Sequence, residues 1–333
     1  MRVDRIALIV GIDDYKLQDS SLKGCIHDAI NMKKILQAHS NGAPNFDCTK
    51  TYTSDDTNIS REFLLEETES FFNLQAQVAL FYFSGHGFLN NLGGFLVTQD
   101  ARAYSEGVKM DDVLILAAQA RREQRIQEIV IILDCCHSGA FGQIPLLNRG
   151  SVLEEGISIL AASSPLENAV EINGHGRFTR LITNALLGGA SDFCGEVKVP
   201  AIYAYIDDAL SPVEQRPIFK SNVSKLISIR DSELDVESSI LRFLPRYFKK
   251  VSDKIQIDES YLSGNKRSDP KKIEEFFHFL LLQDRQLILP KESLDLSDAA
   301  RKSDIISLTE IGKYYWNIVM EKKLLDDLKK SKK

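Results

Sequence analysis

Three short runs of unbroken apolar sequence constrain this chain most. Arg5–Ile12 (RIALIVGI), Gln77–Phe83 (QVALFYF) and Glu128–Leu133 (EIVIIL) are rich in β-branched and aromatic residues and are bounded by Gly, Ser or Asp. Runs of this length and make-up read as strands. Continuous apolarity, in place of alternation, points to strands covered on both faces, as in a parallel sheet. Helical patterns lie between them. Cys25, Ala29, Met32 and Leu36 stand at i, i+4, i+7 and i+11, one face of a helix, and Phe63–Phe72 and Val113–Arg122 read as helices too. Ile157–Ala161 reads as a further strand, Phe178–Leu187 and Ala201–Leu210 as helices, and Pro217–Lys220 as a last strand. Strand and helix alternate for about two hundred residues, which predicts an α/β sandwich with a mainly parallel sheet.

After Ile229 the chain turns polar (Arg230-Asp-Ser-Glu-Leu-Asp) and the strand pattern fades. A boundary there predicts two domains, 1–230 and 231–333, the second small and mostly α. Pro270 opens a helix over Lys271–Gln283, since proline is tolerated in a first helical turn. Ile305–Leu308 followed by Thr309-Glu-Ile-Gly-Lys-Tyr-Tyr-Trp is similar to the strand-to-helix ending of some winged-helix domains. From Ile240 onward there are 20 basic and 15 acidic residues, a surplus of +5, so with a whole-chain charge of −6 residues 1–239 carry −11. That surplus is modest for nucleic-acid binding, and an accessory or regulatory role through an activating protein partner is the expectation for 231–333.

Hydrophobic residues at 44% and charged residues at 26% exclude disordered and collagen-like classes. No apolar run approaches the roughly 18 residues of a membrane-spanning helix, and Met1-Arg-Val-Asp-Arg leads into no secretory cleavage site; a cytoplasmic protein is expected. The five cysteines (Cys25, Cys48, Cys135, Cys136, Cys194) are odd in number and lack C-x-x-C spacing, against a disulfide framework or a zinc site. No metal and no cofactor are expected.

Two segments set reactive side chains just beyond the carboxyl end of a strand, where open α/β sheets bind ligands. One is Phe81-Tyr-Phe-Ser84-Gly85-His86-Gly87 and the other Ile132-Leu-Asp134-Cys135-Cys136-His137-Ser-Gly. A thiolate is a strong nucleophile at neutral pH, and an imidazole can take its proton and return one to a leaving amine. Glycines on both sides of His86 permit a tight turn and a bare N–H near a reacting carbonyl. The plain alternatives are a core cysteine and a structural His137.

These motifs, with 50 residues from His86 to Cys136, resemble the His and Cys motifs of the caspase clan. D-x-C-H-S-G is closer to metacaspases and their prokaryotic relatives than to animal caspases. Ala7–Asp13 (ALIVGID), Leu22-Lys-Gly-Cys-Ile-His-Asp-Ala and Gly176-Arg-Phe-Thr are similar to the same family, so the resemblance spans roughly residues 5–230. It implies a cysteine endopeptidase with Cys136 as nucleophile, His86 as acid/base, an oxyanion hole from the N–H groups of Gly87 and Cys136, and limited proteolysis in a cell-death or defence pathway. It also implies that Asp28, Ser84 and Asp134 line a pocket for a basic P1 residue, and paired carboxylates do favour an Arg or Lys guest over Asp.

One departure concerns calcium. Calcium-dependent metacaspases carry an acidic stretch soon after S-G-H-G, whereas Phe88-Leu-Asn-Asn-Leu-Gly-Gly-Phe-Leu has no carboxylate and the next is Asp100. A hard cation needs several oxygen ligands, so activation by cutting or by a partner is expected instead. Gln143–Gly156, rich in turn formers, contains Arg149 and reads as an inter-subunit linker with a self-cleavage site. Asn168 and Glu171 either border the substrate groove or form solvated surface. Two other functions stay open: an idle caspase-like interaction module, and a nucleic-acid-binding regulator acting through the C-terminal segment.

Overall fold

A computed structural model of the 333-residue chain describes residues 4–16, 21–90, 93–102, 105–135, 153–162, 171–172, 175–192, 194–210, 217–232, 240–264 and 266–330. The chain divides into two compact units, residues 1–233 and 234–333. Among the described residues no helix is long and apolar enough to cross a membrane.

The first unit runs β1 (Arg5–Gly11), α1 (Cys25–Leu36), β2 (Asp47–Thr53), α2 (Arg61–Phe72), β3 (Ala76–Gly85), β4 (Gly87–Asn90), β5 (Gly93–Arg102), β6 (Ser105–Lys109), α3 (Met110–Arg122), β7 (Ile126–Cys135) and β8 (Ile157–Ala161). It continues through β9 (Glu171–Ile172), β10 (His175–Gly176), α4 (Arg177–Asn184), β11 (Glu196–Lys198), α5 (Val199–Ala209), β12 (Ile218–Asn222) and β13 (Ser228–Asp231). Six strands form the central sheet in the order β12-β8-β7-β3-β1-β2. All its pairings are parallel except that of β12 with β8. The three apolar runs are its three innermost-chemistry strands, β1, β3 and β7, and their side chains are buried on both faces because helices cover both. On one face α2 and α3 pack Leu64, Phe71, Phe72 and Val113 against Phe81, Phe83 and Leu133. On the other, α1, α4 and α5 pack Met32, Leu36, Ile182 and Ile202 against Ile9, Tyr82 and Ile132.

Several elements depart from the sequence expectation. β2 (DCTKTYT) is a strand although it is polar, because it is a sheet edge paired only with β1 and one row of its side chains stays partly exposed. A separate antiparallel sheet, β4-β5-β6, follows His86. The helix expected to reach Leu187 is α-helical to Asn184 and then widens into a π-turn over Ala185–Gly189, with Gly188 at φ 129°. The polar stretch at residue 230 belongs to the first unit rather than to a linker. β13 pairs with β11, and the buried Arg230 donates to the carbonyls of Ile35, Ala38 and Leu186 at 3.1, 3.0 and 2.9 Å. A guanidinium supplies five donors, which is why one residue can serve all three carbonyls.

The second unit contains α6 (Phe243–Tyr247), β14 (Lys254–Gln256), a 3₁₀ turn (Glu259–Tyr261), α7 (Pro270–Asp284), β15 (Ile288–Pro290), α8 (Leu296–Lys302), β16 (Ile305–Leu308) and α9 (Glu310–Lys330). Its three strands pair antiparallel in the order β14-β16-β15. Phe248, Phe279, Leu282, Leu296 and Ile306 are buried in its core. Asp269 caps α7 by accepting the Lys271 N–H at 2.9 Å, ahead of Pro270 in the first turn. β16 runs directly into α9, and the Trp316 indole N–H donates to the Phe248 carbonyl at 2.6 Å.

Candidate active site

The carboxyl ends of β1, β3 and β7 lie side by side, with Gly11 opposite Ser84, Ser84 opposite Asp134 and Gly85 opposite Cys135. Registered partners in a parallel sheet share a face, and neighbours along a strand alternate. Tyr82, Ser84 and Asp134 therefore fall on the face covered by α1 and α4. Phe83 and Cys135 fall on the opposite face, where Cys135 is buried in the apolar core. Cys136, the expected nucleophile, lies outside the described residues, as do His137, Arg149 and Asn168.

His86 follows β3 directly and is partly exposed. Its backbone N–H donates to the Tyr15 hydroxyl at 2.8 Å, and the Tyr15 ring lies against the imidazole with centroids 4.8 Å apart. Its carbonyl accepts from Val97 N–H at 3.0 Å, which ties it to β5. Gly85 is required by the same contact, since a Cβ there would stand 2.6 Å from the Tyr15 oxygen. Burial holds the Tyr15 phenol well above its ordinary pKa, so it stays a neutral hydroxyl at any pH the protein meets. Gly87 opens β4, paired with Leu96, and is partly exposed.

Asp28 and Asp134 converge on the first residue before α4. Asp28 stands in the first turn of α1 and is only 1% exposed. It does not cap its own helix. That is done by Asp13, which accepts the N–H groups of Cys25 and Ile26 at 2.8 and 3.3 Å. Asp28 Oδ2 instead accepts the Gly176 N–H at 2.9 Å, 148 residues away. Asp134 Oδ2 accepts both the N–H and the O–H of Thr179 at 3.2 and 2.6 Å. A Cβ on Gly176 would lie 2.8 Å from Asp134 Oδ2 and 2.9 Å from Asp28 Oδ2; only glycine lets the backbone pass between the two carboxylates. Burial first, and then the charge of Asp28, push the Asp134 pKa up from its ordinary 3.8 to about 6, against the lowering effect of the Thr179 bonds.

Ser84 is 2% exposed. It lies near the Cys25 thiol and the Tyr82 hydroxyl. Cys25 is buried and its pKa is raised by that burial, as for an inert thiol. Cys48 and Cys194 are likewise buried. Asp100, the first carboxylate after His86, accepts from Arg61 N–H at 2.9 Å and Thr98 O–H at 2.7 Å. Among the described residues no group of three or more His, Cys, Asp or Glu side chains is placed to hold a metal ion.

A model of the caspase domain matches residues 4–227. The chain belongs to the caspase-domain family. That family is one of cysteine proteases, and its domain accounts for the whole of the first unit's central sheet. Caspase-1 from Spodoptera frugiperda superposes with a TM-score of 0.50 at 13% identity, covering 71% of this chain and 93% of that one. A protein from Geobacter sulfurreducens gives a TM-score of 0.48 at 15% identity, covering 67% and 94%. At 13% identity the caspase-1 likeness is one of fold: an α/β sandwich with a mostly parallel sheet. No curated protein matches the chain.

Within this caspase domain, sequence reasoning singled out His86, Asp28, Ser84 and Asp134, and the fold brings all four to one end of the sheet. It passed over Asp13, Tyr15, Tyr82 and Thr179. The signal for two of these was present, since Asp13 closes the A-L-I-V-G-I-D segment and Thr179 closes G-R-F-T.

Proposed function

We propose that the chain is a cysteine endopeptidase that cuts after Arg or Lys. In this reading the Cys136 thiol passes its proton to His86, and the thiolate attacks the carbonyl of the scissile bond. His86 then gives that proton to the departing amine, leaving an acyl-enzyme. Water, deprotonated by His86, releases the acid and restores the thiol. The N–H groups of Gly87 and Cys136 serve the tetrahedral oxygen.

The observation that carries the specificity is the approach of Asp28 and Asp134 to a single point beside Gly176. Two carboxylates drawn from α1 and β7 to one point disfavour each other, and the charge of Asp28 adds to the burial that raises the Asp134 pKa. A guanidinium or ammonium guest relieves that repulsion; an Asp guest adds to it. Paired fluorogenic peptides ending in Arg, Lys or Asp test this directly. Cleavage after Arg and Lys and none after Asp is expected, and equal or preferred cleavage after Asp would reverse the assignment.

Calcium independence belongs to the same proposal. It is supported by the lack of a carboxylate from Phe88 to Gln99 and by the commitment of Asp100 to Arg61 and Thr98. Self-cleavage at Arg149 is proposed from loop composition alone, and an intact mass showing no cut between Gln143 and Gly156 removes it. For the second unit we propose a partner-binding, regulatory role with a winged-helix-like ending at β16 and α9. Exposed Phe277 and Leu280 on α7, and Ile311 and Tyr314 on α9, favour a protein partner over nucleic acid, because Glu274 and Asp284 share the outer side of α7 with Phe277. Binding of duplex DNA that weakens steeply with salt would favour the nucleic-acid reading instead.

A further inference from the structure

We infer that Thr179 is the positioning residue for the basic-P1 pocket: it aims Asp134 through a one-way chain of buried hydroxyls that ends on Asp134 Oδ2. This rests on the peptidase reading above and assigns a residue that never meets the substrate.

The direction of the chain follows from proton counting. Thr179 is fully buried and has one hydroxyl proton, which it gives to Asp134 Oδ2 at 2.6 Å. Its oxygen is 2.6 Å from the hydroxyl of Tyr82, so in that second bond Thr179 must accept and Tyr82 must donate. Tyr82 is also fully buried and has then spent its only proton. Ser84 and the Cys25 thiol lie nearby on the same face. Each link is a side chain from a different part of the chain: Tyr82 from β3, Thr179 from α4 and Asp134 from β7. The sequence of donors runs one way for as long as Asp134 is ionised.

Two consequences bear on the pocket. Both Thr179 bonds fall on Oδ2, and no described residue bonds Oδ1, so the carboxylate is held in one rotamer with its second oxygen available to a guest. The same bonds favour the charged form against burial and against Asp28. The groups facing Asp134 are Asp28 and Cys25 from α1, Tyr82 and Ser84 from β3, and Thr179 from α4, with Arg177 and Arg180 on that same helix. None of the hydrogen-bonded partners is a cation, so the hydroxyl of Thr179 is the strongest element keeping Asp134 ionised.

Valine keeps the shape of Thr179 and removes both hydroxyl bonds, so Thr179→Val costs stability in either role, and the Asp134 midpoint is what separates a positioning role from a structural one. The test therefore compares Thr179→Val with Thr179→Ser, each confirmed folded by its melting transition. In the Cys136→Ala background, the Asp134 side-chain carboxyl is titrated by ¹³C NMR. Thr179→Val is expected to raise its midpoint by about one pH unit, and Thr179→Ser to restore it to within about 0.3 unit. With Cys136 present, Thr179→Val is expected to raise KM for an Arg peptide about tenfold at pH 7.5 with kcat within about twofold, and to move the acid limb of kcat/KM upward. Thr179→Ser should behave as the parent. An unshifted Asp134 midpoint in Thr179→Val overturns the inference whether or not the protein cleaves peptides. A parent that cleaves nothing while the midpoint does shift overturns the peptidase reading and leaves the hydroxyl chain standing.

Discussion

The two faces of the central sheet differ in a way that locates the chemistry. On the α2–α3 face, β3 and β7 contribute Phe81, Phe83, Leu133 and Cys135 to an apolar core that stays apolar to the strand ends. On the α1–α4 face, the alternate residues begin the same way, with Leu80 and Ile132. They end in Tyr82, Ser84 and Asp134, met by Asp28 and Thr179 from the covering helices. One face is packing alone and the other passes from packing to a polar network within two residues of the strand ends. Alternation along a strand is what allows adjacent residues such as Phe83 and Ser84 to serve such different ends.

The sharpest way to break that comparison is at the paired cysteines. Cys136→Ala is expected to abolish peptide hydrolysis, by about a thousandfold or more, with an unchanged fold. Cys135→Ala is expected to keep activity within a few-fold and to cost about 1 kcal/mol of stability, the loss of a buried sulfur from the apolar face. Peptide assays and melting curves on both variants decide it. Exchanged phenotypes would make Cys135, on the apolar face, the nucleophile.

The next effect concerns the polar face itself. Asp134→Asn is expected to lower kcat/KM for Arg peptides about a hundredfold, the scale of a charged hydrogen bond in a sheltered site. In the parent, the same activity should fall about tenfold per unit below the Asp134 pKa of about 6, because protonation removes the charge that binds the guest. That acid limb should be absent in Asp134→Asn. Phe81→Ala, on the opposite face, supplies the contrast. Emptying a fully buried ring site should cost about 3–5 kcal/mol of stability and leave the ratio of Arg to Asp cleavage unchanged.

How much of this was legible in the sequence depended on whether the information was local. β1, β3 and β7 were legible because burial on both faces demands unbroken apolar runs. The position of His86 directly after β3 was legible because it follows such a run. β2 was not, since an edge strand needs only one covered side and its Thr and Lys residues disguise it. Arg230 stands where the chain turns polar at the expected domain boundary, and nothing near it in sequence reveals the three carbonyls it serves. The fold caps α1 with Asp13 and sends Asp28 to the Gly176 N–H, 148 positions away. The Tyr82–Thr179 bond joins residues 97 positions apart, and no periodicity within either segment announces a partner at that distance.

The smallest expected effect tests whether the polar face carries the strain that its chemistry implies. Asp134 has a pKa of about 6 in the folded chain against an ordinary value of 3.8, so between those pH values the folded state holds a proton that the unfolded state has released. Stability must then fall as pH rises through that window. Asparagine does not titrate. The melting temperature of Asp134→Asn minus that of the parent should therefore become more positive by about 3 °C from pH 4 to pH 7, and stay level above it. Measuring the difference, rather than either curve, cancels the other carboxylates of an acidic chain. A level or falling difference would mean that Asp134 is as well solvated as any surface carboxylate, and the two faces would then differ in composition without differing in energy.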